Sequence, residues 1–275
     1  MDSQARAERG ADVQTITVKG QRLRVTIRPG NSACTPLLLM NGLGTRFEVF
    51  QPLLDELDPA IEVIRFDVPG IGGSPMPALP YRPASLAWLV ASMLDTLGYK
   101  QVDVLGVSWG GWLAQQFAFQ YSIRCRRLIL VSTGPGALMV PAYPNALVSM
   151  LTPWRFMDPS YMEKIAPALY GGNPQSKPER LRELVHSMQA SWPGGYLYQL
   201  FAGVGWTSLP WLWLLRQPTL ILAGDDDRMV PPANAKIFQC LIPRSELYIY
   251  HGGHLDIVTN LQEIMHVVEQ FLFRY

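Results

Sequence analysis

Two patterns of apolar positions divide the chain. Val13 to Lys19 and Arg22 to Arg28 alternate apolar with polar around Gly20-Gln21, the period of two expected of a half-exposed antiparallel hairpin. Beyond them the runs become continuous. Pro36 to Met40, Ile61 to Phe66, Val102 to Leu105, Arg127 to Val131, Pro218 to Leu222 and Glu246 to Tyr250 are short and mostly apolar throughout, which predicts strands covered on both faces. Between them Ser85 to Leu97, Trp109 to Tyr121, Pro232 to Leu241 and Val258 to Phe273 carry apolar residues three and four apart, the spacing of amphipathic helices. Strand alternating with helix predicts an α/β fold with a mostly parallel sheet and right-handed crossovers.

One stretch interrupts the alternation. From about Leu138 to Leu215 there is no clean strand run, and prolines and glycines break the helical stretches. Aromatic residues crowd there, including Trp154, Trp192, Trp206, Trp211 and Trp213, five of the eight tryptophans in the chain. The segment is too long for a connecting loop. It predicts a helical cap over residues 138–213, inserted into a core made of residues 1–137 and 214–275.

Composition narrows the possible partners. The 275 residues are 48% hydrophobic and only 16% charged, which excludes a disordered chain and suggests an affinity for something apolar. With 23 Lys and Arg against 22 Asp and Glu, and no basic run, the chain lacks the footprint of a nucleic-acid binder. No apolar run reaches the ~18 residues of a membrane span, and the N-terminus has no apolar leader core. The 3 cysteines, Cys34, Cys125 and Cys240, are far apart with no C-x-x-C pair, so neither a disulfide framework nor a cysteine zinc site is expected. Together these features read as a cytoplasmic protein without a transmembrane segment.

The chemistry concentrates at three strand ends. Gly106-Val107-Ser108-Trp109-Gly110 fits G-x-S-x-G between a buried strand run and an amphipathic helix, a context that forces a tight turn and exposes the serine hydroxyl at the helix start. A serine hydroxyl needs a base to take its proton and an acid to orient that base. Asp225-Asp226-Asp227 follows the strand ending near Leu222, and His251-Gly252-Gly253-His254 follows the last strand, giving the order serine, acid, histidine. The residues alone leave the choice among the three aspartates open. His254 is preferred over His251, because two glycines free it to turn over the sheet edge, whereas His251 abuts the strand. His186 and His266 have no partner cluster. A zinc site from His251, His254 and Asp256 is disfavoured, since zinc usually takes three or four protein ligands and H-E-x-x-H is absent. Gly42-Leu43-Gly44 and Gly70-Ile71-Gly72-Gly73 do not match G-x-G-x-x-G, so no dinucleotide cofactor is indicated.

With the Asp67-Val68-Pro69-Gly70-Ile71-Gly72-Gly73-Ser74 turn, these segments resemble the α/β-hydrolase superfamily over the whole chain. Gly106 to Gly111, Leu113 to Ala118, Met139-Val140-Pro141, Tyr170-Gly171-Gly172, Gln199 to Gly203, Gly205 to Ser208 and Leu222 to Asp227 further resemble the bacterial intracellular depolymerases of medium-chain-length polyhydroxyalkanoates. The resemblance implies Ser108 as nucleophile, Asp227 as acid and His254 as base. It implies an oxyanion hole from the backbone N–H groups of Leu43, in the Asn41 to Gly44 loop, and of Trp109.

Two positions depart from the pattern: Asn41 stands where the superfamily usually has His, and Trp112 is bulkier than the small residue expected after the elbow, reshaping the pocket. The expected activity is hydrolysis of polyester to 3-hydroxy fatty acids or oligomers through an acyl-enzyme, without metal or cofactor, at a granule surface or on another hydrophobic ester. Trp154, Trp192 and Trp206 are the expected substrate contacts of the cap. The competing readings are a small-molecule esterase or lactonase, a cofactor-free haloperoxidase-like hydrolase, a catalytically idle polymer binder and a 3-hydroxyacyl transferase.

Overall fold

The computed structural model describes residues 13–151, 159–172, 179, 182, 193–256 and 261–274. Eight strands form one sheet: β1 (Val13–Val18), β2 (Gln21–Arg28), β3 (Leu37–Met40), β4 (Val63–Phe66), β5 (Val102–Val107), β6 (Cys125–Val131), β7 (Thr219–Gly224) and β8 (Ser245–Tyr250). Their order across the sheet is β1-β2-β4-β3-β5-β6-β7-β8. β2 runs antiparallel to β1 and β4, and all later neighbours are parallel. This is the hairpin followed by a parallel sheet that the two apolar patterns predict.

Why the central runs are continuously apolar follows from which face each residue takes. Leu37 and Leu39 of β3 join Leu105, Ile129, Val131 and Leu222 in one core, while Leu38 and Met40 join Val104, Leu128, Leu130 and Ile221 in the other. Successive side chains point to opposite faces, and here both faces are covered. The first face packs on α1 (Gln51–Glu56) and α8 (Leu261–Phe273) through Leu53, Leu54, Val268 and Leu272. The second packs on α2 (Pro83–Leu97), α3 (Trp109–Gln120) and α7 (Ala233–Leu241) through Leu94, Phe117 and Phe238. Each such leucine removed from water contributes about 1.5–3 kcal/mol.

The helical turn Phe47–Phe50 and α1 lie in a stretch where the apolar spacing predicts no element. They are short, and their signal is limited to Pro52 in the first turn and the Leu53-Leu54 pair. Tertiary contacts supply what local propensity does not: buried Asp67 accepts from the Phe47 N–H at 2.9 Å and the Gly73 N–H at 3.0 Å. Burial raises the Asp67 carboxyl pKa, and those backbone donors oppose the rise. The Asp67 to Ser74 turn is closed by Ser74 Oγ donating to the Asp67 carbonyl at 2.7 Å.

Between β6 and β7 the chain carries α4 (Pro144–Leu151), α5 (Pro159–Tyr170), α6 (Pro193–Gly203) and a 3-10 turn, Leu209–Leu214. The two ends of this insertion are tied together by an isolated antiparallel bridge between Gly136 and Thr207. Ala137 N–H also donates to the Trp206 carbonyl at 2.7 Å, and Ser208 N–H to the Pro135 carbonyl at 3.0 Å. Trp154, His186 and Trp192 lie outside the described residues. Among the described residues no helix is long and apolar enough to cross a membrane.

Candidate active site

The parallel strands deliver Ser108, Asp227 and His254 to one edge. β5 ends at Val107 beside Val131 of β6, β6 pairs with β7, and Gly224 of β7 lies opposite Tyr250 of β8. The residues that follow β5, β7 and β8 therefore emerge together at the carboxyl edge of the sheet, where open α/β sheets bind ligands.

Ser108 sits at φ 54°, ψ −119°, between β5 and α3. A positive φ is costly for a residue with a side chain and persists only where the surroundings over-determine it. Here the main chain is held at both groups. Ser108 N–H donates to the Val131 carbonyl at 2.9 Å, and its carbonyl accepts from Gly111 N–H at 2.9 Å and Thr133 Oγ1 at 2.7 Å. The motif's glycines make the turn possible by close approach. A Cβ at Gly106 would press on Ala114 and the Gly110 carbonyl, and one at Gly110 would overlap the Met40 and Asn41 carbonyl oxygens. Gly110→Ala must push β3 and the following loop aside. It is expected to cost about 1–3 kcal/mol, read as a lowered unfolding midpoint.

The three consecutive aspartates have three separate partners. Asp225 Oδ2 meets His251 Nδ1 at 2.8 Å, and its other oxygen accepts from Gly252 N–H at 3.0 Å. Asp226 accepts from Gly172 N–H at 2.9 Å and from Arg228. Asp227 Oδ1 accepts from the N–H groups of Met229 at 3.0 Å and Val230 at 2.8 Å, leaving Oδ2 to meet His254 Nδ1 at 2.8 Å. Two Asp–His pairs of equal length thus stand side by side, and burial separates them. The His254 and Asp227 side chains are 5% and 0% exposed, whereas those of His251 and Asp225 are 96% and 47% exposed. In the outer pair the hydrogen bond raises the His251 pKa and lowers that of Asp225.

An ionised carboxylate only accepts, so a neutral imidazole bonded to it carries its proton on Nδ1 and presents Nε2 as an acceptor. The ring is fixed further by the insertion. His254 N–H donates to the Tyr170 carbonyl at 2.8 Å, and the Tyr170 ring stacks on the imidazole at 5.8 Å between centroids. Buried Tyr250, at the end of β8, bonds Ser132 Oγ at 3.0 Å, and burial raises its pKa.

On the other side of Ser108 is the loop after β3. Asn41 is buried and donates through Nδ2 to the Thr45 carbonyl at 3.2 Å, closing the loop that carries Leu43. Trp109 opens α3, so its backbone N–H lies in the first turn, where no intrahelical acceptor exists. Trp112 lies against Gly203 of α6 and 5.9 Å from the Trp206 ring. Trp206 itself donates from Nε1 to Gln116 of α3 at 2.9 Å and meets Trp211 edge-on. These contacts put Trp112 and Trp206 in the seam joining insertion to core. His266 is on α8, within 2.9 Å of Gln270. Among the described residues no group of three or more His, Cys, Asp or Glu side chains is placed to hold a metal ion. The three cysteines are free.

The model of the α/β-hydrolase fold matches residues 35–261, most of the sheet and the whole insertion. The chain belongs to the α/β-hydrolase family. Among its relatives, a poly(3-hydroxyalkanoate) depolymerase of Ectopseudomonas oleovorans is 46% identical over 259 residues, 94% of this chain and 92% of that protein. A 3-oxoadipate enol-lactonase of Acinetobacter baylyi is 26% identical, covering 87% of this chain and 89% of that protein. Among solved structures, the enol-lactonase from Burkholderia xenovorans superposes with a TM-score of 0.81 over 95% of this chain and 100% of that one, at 20% identity. That last likeness is one of fold.

Proposed function

We propose that this α/β-hydrolase cleaves the ester bonds of medium-chain-length polyhydroxyalkanoate, with Ser108 as nucleophile, His254 as base and Asp227 as the acid that orients it. The observation that carries the chemistry is the buried Asp227–His254 pair at the sheet edge reached by the strained Ser108 turn. His254 Nε2 takes the Ser108 proton as Oγ attacks the ester carbonyl, and the N–H groups of Leu43 and Trp109 receive the developing oxyanion. His254 then returns the proton to the departing alcohol end of the polymer. Water, activated by the same imidazole, releases a 3-hydroxy acid or oligomer. Each step uses side chains and backbone of this chain, without metal or organic cofactor.

The choice of polyester rests on the relative that is 46% identical across 94% of the chain, the insertion included. Residues 138–213 act as the cap of this site, and Trp154, Trp192 and Trp206 are its proposed substrate contacts. The protein acts in the cytoplasm at the surface of polyester granules. A feature of α6 and the turn after it supports contact with such a surface: Leu197, Leu200 and Phe201 recur at helical spacing, Val204 follows the helix, and they are 57%, 40%, 64% and 63% exposed.

The test is a suspension of medium-chain polyester beside a short-chain one, with released acids measured. Clearing of the medium-chain suspension with release of 3-hydroxy fatty acids is expected. Cleavage of small soluble esters alone would replace this reading with a small-molecule esterase. The paired change Leu197→Ser and Phe201→Ser is expected to slow clearing severalfold while kcat/KM on a soluble ester stays within about twofold; equal loss on both would remove the surface role.

A further inference from the structure

Helix α6 turns its opposite face inward, and one residue there reaches both walls of the oxyanion site. Gln199 is 1% exposed. Its side-chain Oε1 accepts from the Gly44 N–H at 2.7 Å, and its main-chain carbonyl accepts from the Trp109 indole Nε1–H at 3.0 Å. Gly44 follows Leu43 in the loop after β3, and Trp109 follows Ser108. The two proposed oxyanion donors thus sit on separate segments, and a single residue of the insertion, 155 positions from Gly44, bonds to both segments.

The helix bearing Gln199 is anchored on either side of it. Gly195 lies so close to Gly70 that a Cβ would overlap the Gly70 carbonyl oxygen, and Gly203 seats the Trp112 ring. Gly195, Gln199 and Gly203 are spaced four apart and so share one face. Close backbone contact at the two glycines leaves the Gln199 side chain little freedom to withdraw. A neutral amide is suited to this place: it accepts from Gly44 without bringing a negative charge near a developing oxyanion.

We propose that Gln199 is a positioning residue for ester hydrolysis, aligning the Leu43 and Trp109 N–H groups so that the insertion completes the oxyanion site. The inference rests on the serine-hydrolase reading above. Oxyanion donors act only when already aimed at the transition-state oxygen, so their misalignment lowers kcat and leaves ground-state binding nearly untouched.

The test uses the full chain and a soluble p-nitrophenyl ester. Gln199→Leu, close in volume and lacking the acceptor, is expected to lower kcat about tenfold to a hundredfold with KM within about threefold. Trp109→Phe, which removes the indole donor and keeps the backbone N–H, is expected to lower kcat about threefold to tenfold, again with KM little changed. It provides the reading if Gln199→Leu does not fold. Unchanged kcat in a folded variant, or a loss expressed in KM alone, would overturn the proposal. A wild-type protein that cleaves no ester would remove the reading beneath it, a distinct outcome from active wild type with unaffected variants.

Discussion

Ser108→Ala is expected to reduce ester hydrolysis by about four orders of magnitude or more, the scale seen when a triad nucleophile is removed. The fold is expected to survive, because what holds residue 108 in its positive-φ turn is main chain. The N–H bond to Val131 and the carbonyl bonds from Gly111 and Thr133 are independent of the hydroxyl. An unfolding midpoint close to wild type together with loss of turnover is the expected pair of readings. Appreciable residual hydrolysis by a folded variant would sink the assignment.

Asp227→Asn is expected to lower kcat by about 10⁴ with little structural change. Asn Oδ1 can keep accepting from the Met229 and Val230 N–H groups, so the loop stays closed. Only the second atom changes, from an oxygen that accepts from His254 Nδ1 to an amide nitrogen that donates. A donor there favours the tautomer with the proton on Nε2, which cannot take a proton from serine. Asp225→Asn makes the same exchange at an equally short bond to an exposed histidine and is expected to change kcat by no more than about threefold. Measuring both variants at one pH decides between the two Asp–His pairs. Similar losses from each would undo the separation by burial.

The sheet is legible in the sequence because burial on both faces forces continuous apolar runs, which mark β3 to β7; the sixth run is β8, an edge strand in which Ile249 is exposed and only Tyr250 is buried. The hairpin is legible for the opposite reason, its outer face being wet. Neither pattern could apportion Asp225, Asp226 and Asp227, whose partners His251, Gly172 and His254 are set by loop geometry. The two histidines around these glycines differ in burial, His254 being buried and His251 lying in solvent. Gln199 and Tyr170 carried no chemical signal of their own. A glutamine in an apolar helix and a tyrosine before two glycines become part of the site only through contacts to Gly44, Trp109 and His254. The abundance of tryptophan does not announce the contacts of Trp206, whose indole N–H donates to Gln116 and whose ring lies beside Trp112.

The most direct measurement is titration of the chain with a phosphonate ester that modifies activated serines, following polyester clearing and peptide mass together. Modification of Ser108 with clearing lost in proportion is the result expected. Full clearing by protein whose Ser108 is completely phosphonylated would contradict hydrolysis through this serine.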